Sequence, residues 1–176
     1  MEAYQVILLI LVLVAFFYIA IIVYVMSMML EFRNKLRRRR RGINLILYER
    51  CDVLLSFIEL FRKEGVVFSE VDAQCFDALS ALDFKNKYDE ESLVERGAAI
   101  KAASSRIRYL AQANRWATKG KEYEHLVSLL KDLDRNYRLI VGQYNMDVGG
   151  YNYWIAVPGV HWIGFLVGFR KKALLN

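Results

Sequence analysis

One proline, two histidines and two cysteines are all that this chain of 176 residues contains of those types. With Pro158 standing alone, no helix before it meets a residue that costs about 3 kcal/mol in a helix interior. Cys51 and Cys75 have neither Cys-x-x-Cys nor zinc-ligand spacing, so they read as small apolar residues on helical stripes. The scarcity of histidine limits metal chemistry. A di-metal carboxylate site in a bundle needs two Glu-x-x-His motifs; Glu122-Tyr-Glu-His125 is the one match, and His161 has no Glu three residues before it. A Gly-rich phosphate loop after a strand is lacking, as is any local nucleophile–His signature. Alternating apolar runs closed by hairpin turns are lacking too. Catalytic, cofactor-binding and metal residues are therefore expected to be none, and the fold class is expected to be all-α.

Charge is also missing, and over a long stretch: Ala3 to Leu30 carries none, and Arg33, Lys35 and Arg37, Arg38, Arg39, Arg40 and Arg41 follow. A helix of roughly 20 apolar residues crosses the hydrocarbon core of a bilayer. A cleavable signal peptide would have a basic start, an apolar core of roughly 7–15 residues and a small-residue cleavage site. Here the cations sit on the other side, the core is longer, and Met26-Ser27-Met28-Met29-Leu30 makes a poor site. The run reads as an anchor. Flanking cations stay on the cytoplasmic side, so the N-terminus is expected outside and the residues after Glu31 inside.

The formal charge of +6 is unevenly spread. Seven cations lie within 33–41 and three are Arg170, Lys171 and Lys172, which leaves 42–169 slightly acidic. A nucleic-acid binder would spread its Lys and Arg over a domain face, so nucleic acid is not an expected partner. The two clusters instead suit anionic lipid headgroups, at roughly 1 kcal/mol per residue near the surface.

Four segments follow: an anchor at 1–32, a basic juxtamembrane stretch at 33–42, a helical bundle at 43–150 and an aromatic tail at 151–176. Ile43, Leu47, Cys51, Leu54, Ile58 and Phe61 recur at helical spacing, and Gly65 falls where a left-handed cap ends a helix. No breaker stronger than Gly42 separates this helix from the apolar run, so one continuous helix is expected. Ser69 should cap a short helix with Val71, Cys75, Phe76, Leu79 and Leu82 on its apolar face. Asp89-Glu90-Glu91 should open the next, striped by Leu93, Ile100, Ala103, Ile107 and Leu110, with Arg106, Arg108 and Arg115 on a solvated face. After a short break at Thr118-Lys119-Gly120, a long helix should bury Tyr123, Leu126, Leu130, Leu133, Tyr137, Ile140, Tyr144 and Val148. Together these predict an N-terminal transmembrane helix followed by an antiparallel, four-helix-type bundle. Gly149-Gly150 should weaken the last helix, as a kink or as its end. The apolar, glycine-broken tail from Tyr151 to Phe169 has three possible places: packed on the bundle, lying in the cytoplasmic leaflet, or spanning the membrane.

Tyr144-Asn145 and Tyr151-Asn152 stand seven residues apart, ahead of Val157-Pro158 and Gly168-Phe169-Arg170. Ile43 to Ile58 adds a second block, Ile-Asn-Leu-Ile-Leu-Tyr-Glu-Arg50-Cys-Asp52-Val-Leu-Leu-Ser-Phe-Ile. This ordered set resembles the LemA family, as a divergent member. In that family the second block reads Ile-Asp-Val-x-Leu-x-Arg-Arg-x-Asp-Leu-Ile-Pro-Asn-Leu-Val. The chain departs from the pattern at Asn44, Leu55, Val157 and Gly149-Gly150, and at Glu64-Gly65, where the family has His-Glu. The resemblance implies a bundle on a single anchor in a bacterial inner membrane, without an agreed enzymatic activity. Tyr137, Tyr144 and Tyr151 share one helix face and suit core filling, while Asn145 and Asn152 suit backbone bonds to a neighbouring segment. The function expected is that of a non-enzymatic, membrane-proximal scaffold that self-associates or docks other membrane proteins. The alternative is a membrane-active or membrane-sensing protein whose tail enters the leaflet.

The topology has a direct test. A cysteine introduced at position 2 should react with an impermeant maleimide in intact cells, and one at position 172 should not; the reverse pattern would refute the orientation.

Overall fold

The computed structural model describes residues 3–85, 88–157, 160–162, 164 and 168–175; Pro158 of the family signature lies outside them. Among the described residues the chain is all-helical, with no strand. Helix α1 spans Ala3–Lys63, α2 Glu70–Ser80, α3 Glu90–Ala113 and α4 Lys121–Ala156, with a 3-10 turn at Arg115–Thr118. Contacts divide the chain into two compact units, Met1–Arg37 with Met146–Ala173 and Arg38–Asn145 with Leu174–Asn176.

In the second unit the expected helix ends are built by the expected chemistry. The amide of Val66 donates to the carbonyl of Phe61 at 2.9 Å and that of Gly65 to Arg62 at 3.0 Å. This is the paired bonding of a left-handed helix cap, and Gly65 has the positive φ of 76° that it needs. Ser69 and Asp72 form a reciprocal capping box, and the Asp89 side chain accepts from the Ser92 amide at 2.8 Å.

The stripes meet in one core. Ile43, Leu47, Leu54 and Phe61 of α1, Leu79 of α2 and Leu93, Ile100 and Ala103 of α3 are almost wholly buried. Here α1 and α4 run antiparallel: Gly42 lies against Ile140, Arg50 pairs with Asp134, and Phe57 meets Tyr123 edge-on at 5.5 Å. At Gly42 a Cβ would come within 2.6 Å of the Ile140 side chain, so the glycine serves close helix approach. Cys51 is buried with its Sγ 3.7 Å from the carbonyl oxygen of Leu79, and burial pushes its thiol pKa up. An unreactive thiol is what such a place produces.

Two expectations need correction here, and a third charged residue turns inward unannounced. Val71 is 60% exposed, and Asp72 takes the inward place on α2. Arg106 is not on a solvated face, because its Nε and Nη2 each lie 2.6 Å from Asp72 Oδ1. Arg96, which falls on the α3 stripe, is buried as well; it donates to Asn44 and lies over the Phe84 ring. A buried charge needs compensation, and these partners supply it.

Of the two expectations at Gly149-Gly150, a kink or the helix end, the first unit removes the end. α4 continues through Gly149-Gly150 to Ala156. At Gly150 a Cβ would lie 3.4 Å from the Phe32 ring, an ordinary contact distance, so the ring packs here without requiring a glycine. Nothing surrounds the Cβ position of Gly149. Residues 33–42 lie within the continuous α1, as expected, and 151–156 form the last turns of α4.

Asp72 gives the second unit an acid sensitivity. Burial alone would raise its carboxyl pKa, but hydrogen bonds from Ser69 and Arg106 outweigh it and hold it below the ordinary 3.8. The depressed value means that the stabilisation is complete above about pH 4 and is lost as pH falls through the folded-state pKa. Asp72→Asn should cost about 1–3 kcal/mol in denaturant unfolding at pH 7, and the difference from the parent should shrink in acid. A pH-independent difference would show that the charge of Asp72 is not what matters.

Candidate membrane-interface site

The first unit has a bare end and a sheathed end. One helix, α1, is long and apolar enough to cross a membrane, and the apolar window that qualifies it has nothing packed on it. From Ala3 to Tyr24 no residue is buried; Val25, Met29 and Leu36 are. At 1.5 Å per residue the bare part is about 33 Å long, close to the roughly 30 Å of a hydrocarbon core. The uncharged run is longer than that, and its surplus is covered by protein.

The cover comes from 146–173. Lys35 Nζ pairs with Asp147 Oδ1 at 2.8 Å, and Phe32 lies against Gly150. This antiparallel register carries the buried Tyr151 and Ile155 toward the levels of Met29 and Val25. Beyond Ala156 the amide of His161 donates to Val157 and that of Val160 to the same carbonyl, so 160–162 turn helically again. Gly168 has φ +77°, and the Phe169 amide donates to the Gly164 carbonyl at 2.8 Å. The Gly-Phe pair is thereby explained: glycine makes the left-handed turn and Phe169 buries its ring.

The chain then returns to its starting point. Asn152 Nδ2 donates to the Lys172 carbonyl at 2.8 Å, and the Lys172 amide donates to Asn152 Oδ1 at 2.8 Å. Nineteen residues separate these two, too few for two crossings of roughly 20 residues each. The two ends of this stretch thus lie beside each other rather than a membrane thickness apart. Tyr153 and Trp162 stay exposed, at 69% and 74%.

Inside the second unit Asn145 makes the same double bond, Nδ2 to the Leu175 carbonyl at 2.7 Å and the Leu175 amide to Oδ1 at 2.9 Å. Each asparagine of a Tyr-Asn pair thus replaces a strand partner for an extended stretch of backbone. Tyr144 is completely buried and its hydroxyl donates to Glu90 at 3.3 Å, with Arg40 3.7 Å from the same oxygen. Burial first, then the Glu90 carboxylate, push the Tyr144 pKa well up. Tyr151 is buried in its own unit. Arg50 is likewise internal, paired to Asp134 at 2.7 Å and lying over the Tyr137 ring. Asp52 is exposed and joins none of these groups.

The cations separate by role. Arg33, Arg37, Arg38 and Arg41 are exposed, as are Arg170 and Lys171. Arg39 donates to Gln143 at 2.6 Å, and Arg40 is turned inward on Glu90 with 18% of its side chain exposed. Arg40, expected at the membrane surface, is less exposed than its neighbours Arg37, Arg38 and Arg41. Glu90, Asp134 and Asp147 are the partners that sequence reasoning missed, since an acidic residue on a helix gives no local sign of a distant cation. Among the described residues no three of His, Cys, Asp or Glu come together where a metal ion could bind.

Set against protein-family models, curated proteins and solved structures, the chain matches none.

The asparagine bonds carry a measurable prediction. Asn152→Ala should leave the Lys172 amide and carbonyl unpaired, at about 1–3 kcal/mol. Hydrogen exchange at the Lys172 amide should speed up roughly tenfold or more, with the Leu79 amide unchanged. Exchange already fast in the parent protein would show that the bonds do not hold the tail.

Proposed function

We propose that this chain is a single-pass, membrane-anchored helical bundle that acts without catalysis as a membrane-proximal scaffold, self-associating or docking other membrane proteins. On this reading it is a divergent LemA-family protein of a bacterial inner membrane, N-terminus outside and bundle in the cytoplasm. One observation carries the proposal most: bare, uncharged helix over Ala3–Tyr24, followed on the same helix by exposed Arg33, Arg37, Arg38 and Arg41. An apolar surface of that length needs hydrocarbon around it, and the cations favour the cytoplasmic, anionic side. The Tyr-Asn pairs support the family reading, since both asparagines hold backbone of the C-terminal segment and both tyrosines are buried.

A specific observation also favours the membrane-sensing alternative. The segment that leaves at Asn152 and returns at Lys172 exposes Tyr153 and Trp162 and carries exposed Arg170 and Lys171. Aromatic rings with polar edges favour the interface.

Crosslinking in native membranes, read by mass spectrometry, separates the two. The scaffold reading expects crosslinks between copies of the bundle or from the bundle to a defined membrane protein. A bundle that stays uncrosslinked, together with Trp162 fluorescence quenched by lipids brominated in the headgroup-proximal part of the chain, would replace the scaffold with the sensor.

A further inference from the structure

The second unit contains a cleft of about 580 Å³ between α3 and α4, backed by α1. Its existence follows from small residues: Gly97 and Ala98 line it where larger side chains would close it, with Leu93, Val94 and Leu175 as apolar walls. The volume falls in the range of small-molecule sites.

Its polar lining is almost all of one kind. Lys101 and Arg138 stand at the cleft, and no carboxylate pairs with either among the described residues. Two like charges are thus left uncompensated on neighbouring helices. Arg50 lines the cleft beside them; its one carboxylate contact is Asp134, and its buried Nε has no hydrogen-bond partner. The Tyr137 hydroxyl lies 3.6 Å from the Cβ position of Gly97, and among the described residues no hydrogen bond to it is seen. Burial raises its pKa, so it remains a protonated donor at neutral pH. Three cations and a hydroxyl face one carboxylate, Asp134, whose buried Oδ1 lies 2.7 Å from Arg50 Nη2 without a hydrogen bond. The lining has three positive charges against one negative, and what it is short of is anionic charge.

We propose that this cleft binds a small organic anion with an apolar body, its anionic group received by Lys101, Arg138 and the Tyr137 hydroxyl and its body lying on Gly97, Ala98 and Val94. Acidic headgroups of lipids and soluble carboxylates, sulfonates or phosphate esters share this chemistry. The inference does not depend on the scaffold reading, because it concerns only side chains within the bundle.

The full chain in nanodiscs of zwitterionic lipid tests it, titrated with 2-naphthalenesulfonate by calorimetry against empty nanodiscs. Saturable one-to-one binding is expected, weakened roughly tenfold or more by the combined Lys101→Gln and Arg138→Gln substitutions. Gly97→Leu, which fills the cleft, should abolish it. The Gln pair alters solvent-facing cations, so it stays informative if Gly97→Leu fails to fold, which circular dichroism would reveal. A neutral naphthalene sulfonamide should bind far more weakly. Repeating the titration with anionic lipid in the nanodisc identifies the source: a weaker apparent affinity supports a lipid headgroup as the occupant, and an unchanged one supports a soluble anion. Absence of saturable binding, or binding untouched by the Gln pair, would overturn the proposal.

Discussion

Everything about this chain is conditioned by apolar surface that water cannot be allowed to meet. Ala3 to Tyr24 presents more than twenty uncharged side chains with no protein over them. Burial of a single Leu, Ile, Val or Phe is worth roughly 1.5–3 kcal/mol, so the run as a whole far outweighs the 5–15 kcal/mol that stabilises a typical domain. No rearrangement of a bundle could compensate for its exposure. Protein cover begins before the uncharged run ends. Val25 and Met29 are uncharged residues of the same run, yet they are buried by protein. Helix α1 passes from bare to covered apolar surface, and the change falls within a single turn.

How far the sequence revealed this depends on which interaction is asked about. Local chemistry was legible. Gly65 ends α1 through its left-handed φ, Ser69 and Asp89 cap the next two helices, and the Leu93–Ile100–Ala103–Ile107–Leu110 stripe lies in the core. Such features depend on spacing within one turn or one helix, and spacing is what a sequence displays. The stripe on α4 was legible in position but not in depth: Leu126, Tyr144 and Val148 are buried, while Leu130, Leu133, Tyr137 and Ile140 remain half-exposed. The roles of Asn145 and Asn152 were also readable, since an amide beside a core tyrosine has little to bond except passing backbone.

Charged residues that turn inward were not legible. Arg96 stands three residues after Leu93 and four before Ile100, squarely on the stripe, but charge argued for solvent. What reverses the argument is Asn44, which receives the Arg96 bond while its own amide donates to the Phe84 carbonyl at 3.1 Å. Aspartate could accept but could not donate, so asparagine suits this place for a reason that lies forty residues away. Arg106 with Asp72 and Arg40 with Glu90 follow the same rule, each pair joining helices far apart in sequence. At Gly149-Gly150 the helix does not end, since α4 runs on to Ala156. Helix propensity counts the backbone alone, and the Phe32 ring packed against Gly150 does not enter it.

The paired bonds between Asn152 and Lys172 also make a closed loop of the residues between them. In polymer terms, closing a loop depends on the logarithm of its length, so doubling that length would cost only about 0.6 kcal/mol. One end is fixed by the Asn152 side-chain amide and the other by the backbone N–H and C=O of Lys172. The contents of the stretch are a different matter: Ile155, Val160 and Phe169 within it are buried, so its length is freer to vary than its apolar contacts, and changes of composition fall most easily on exposed positions such as Tyr153 and Trp162.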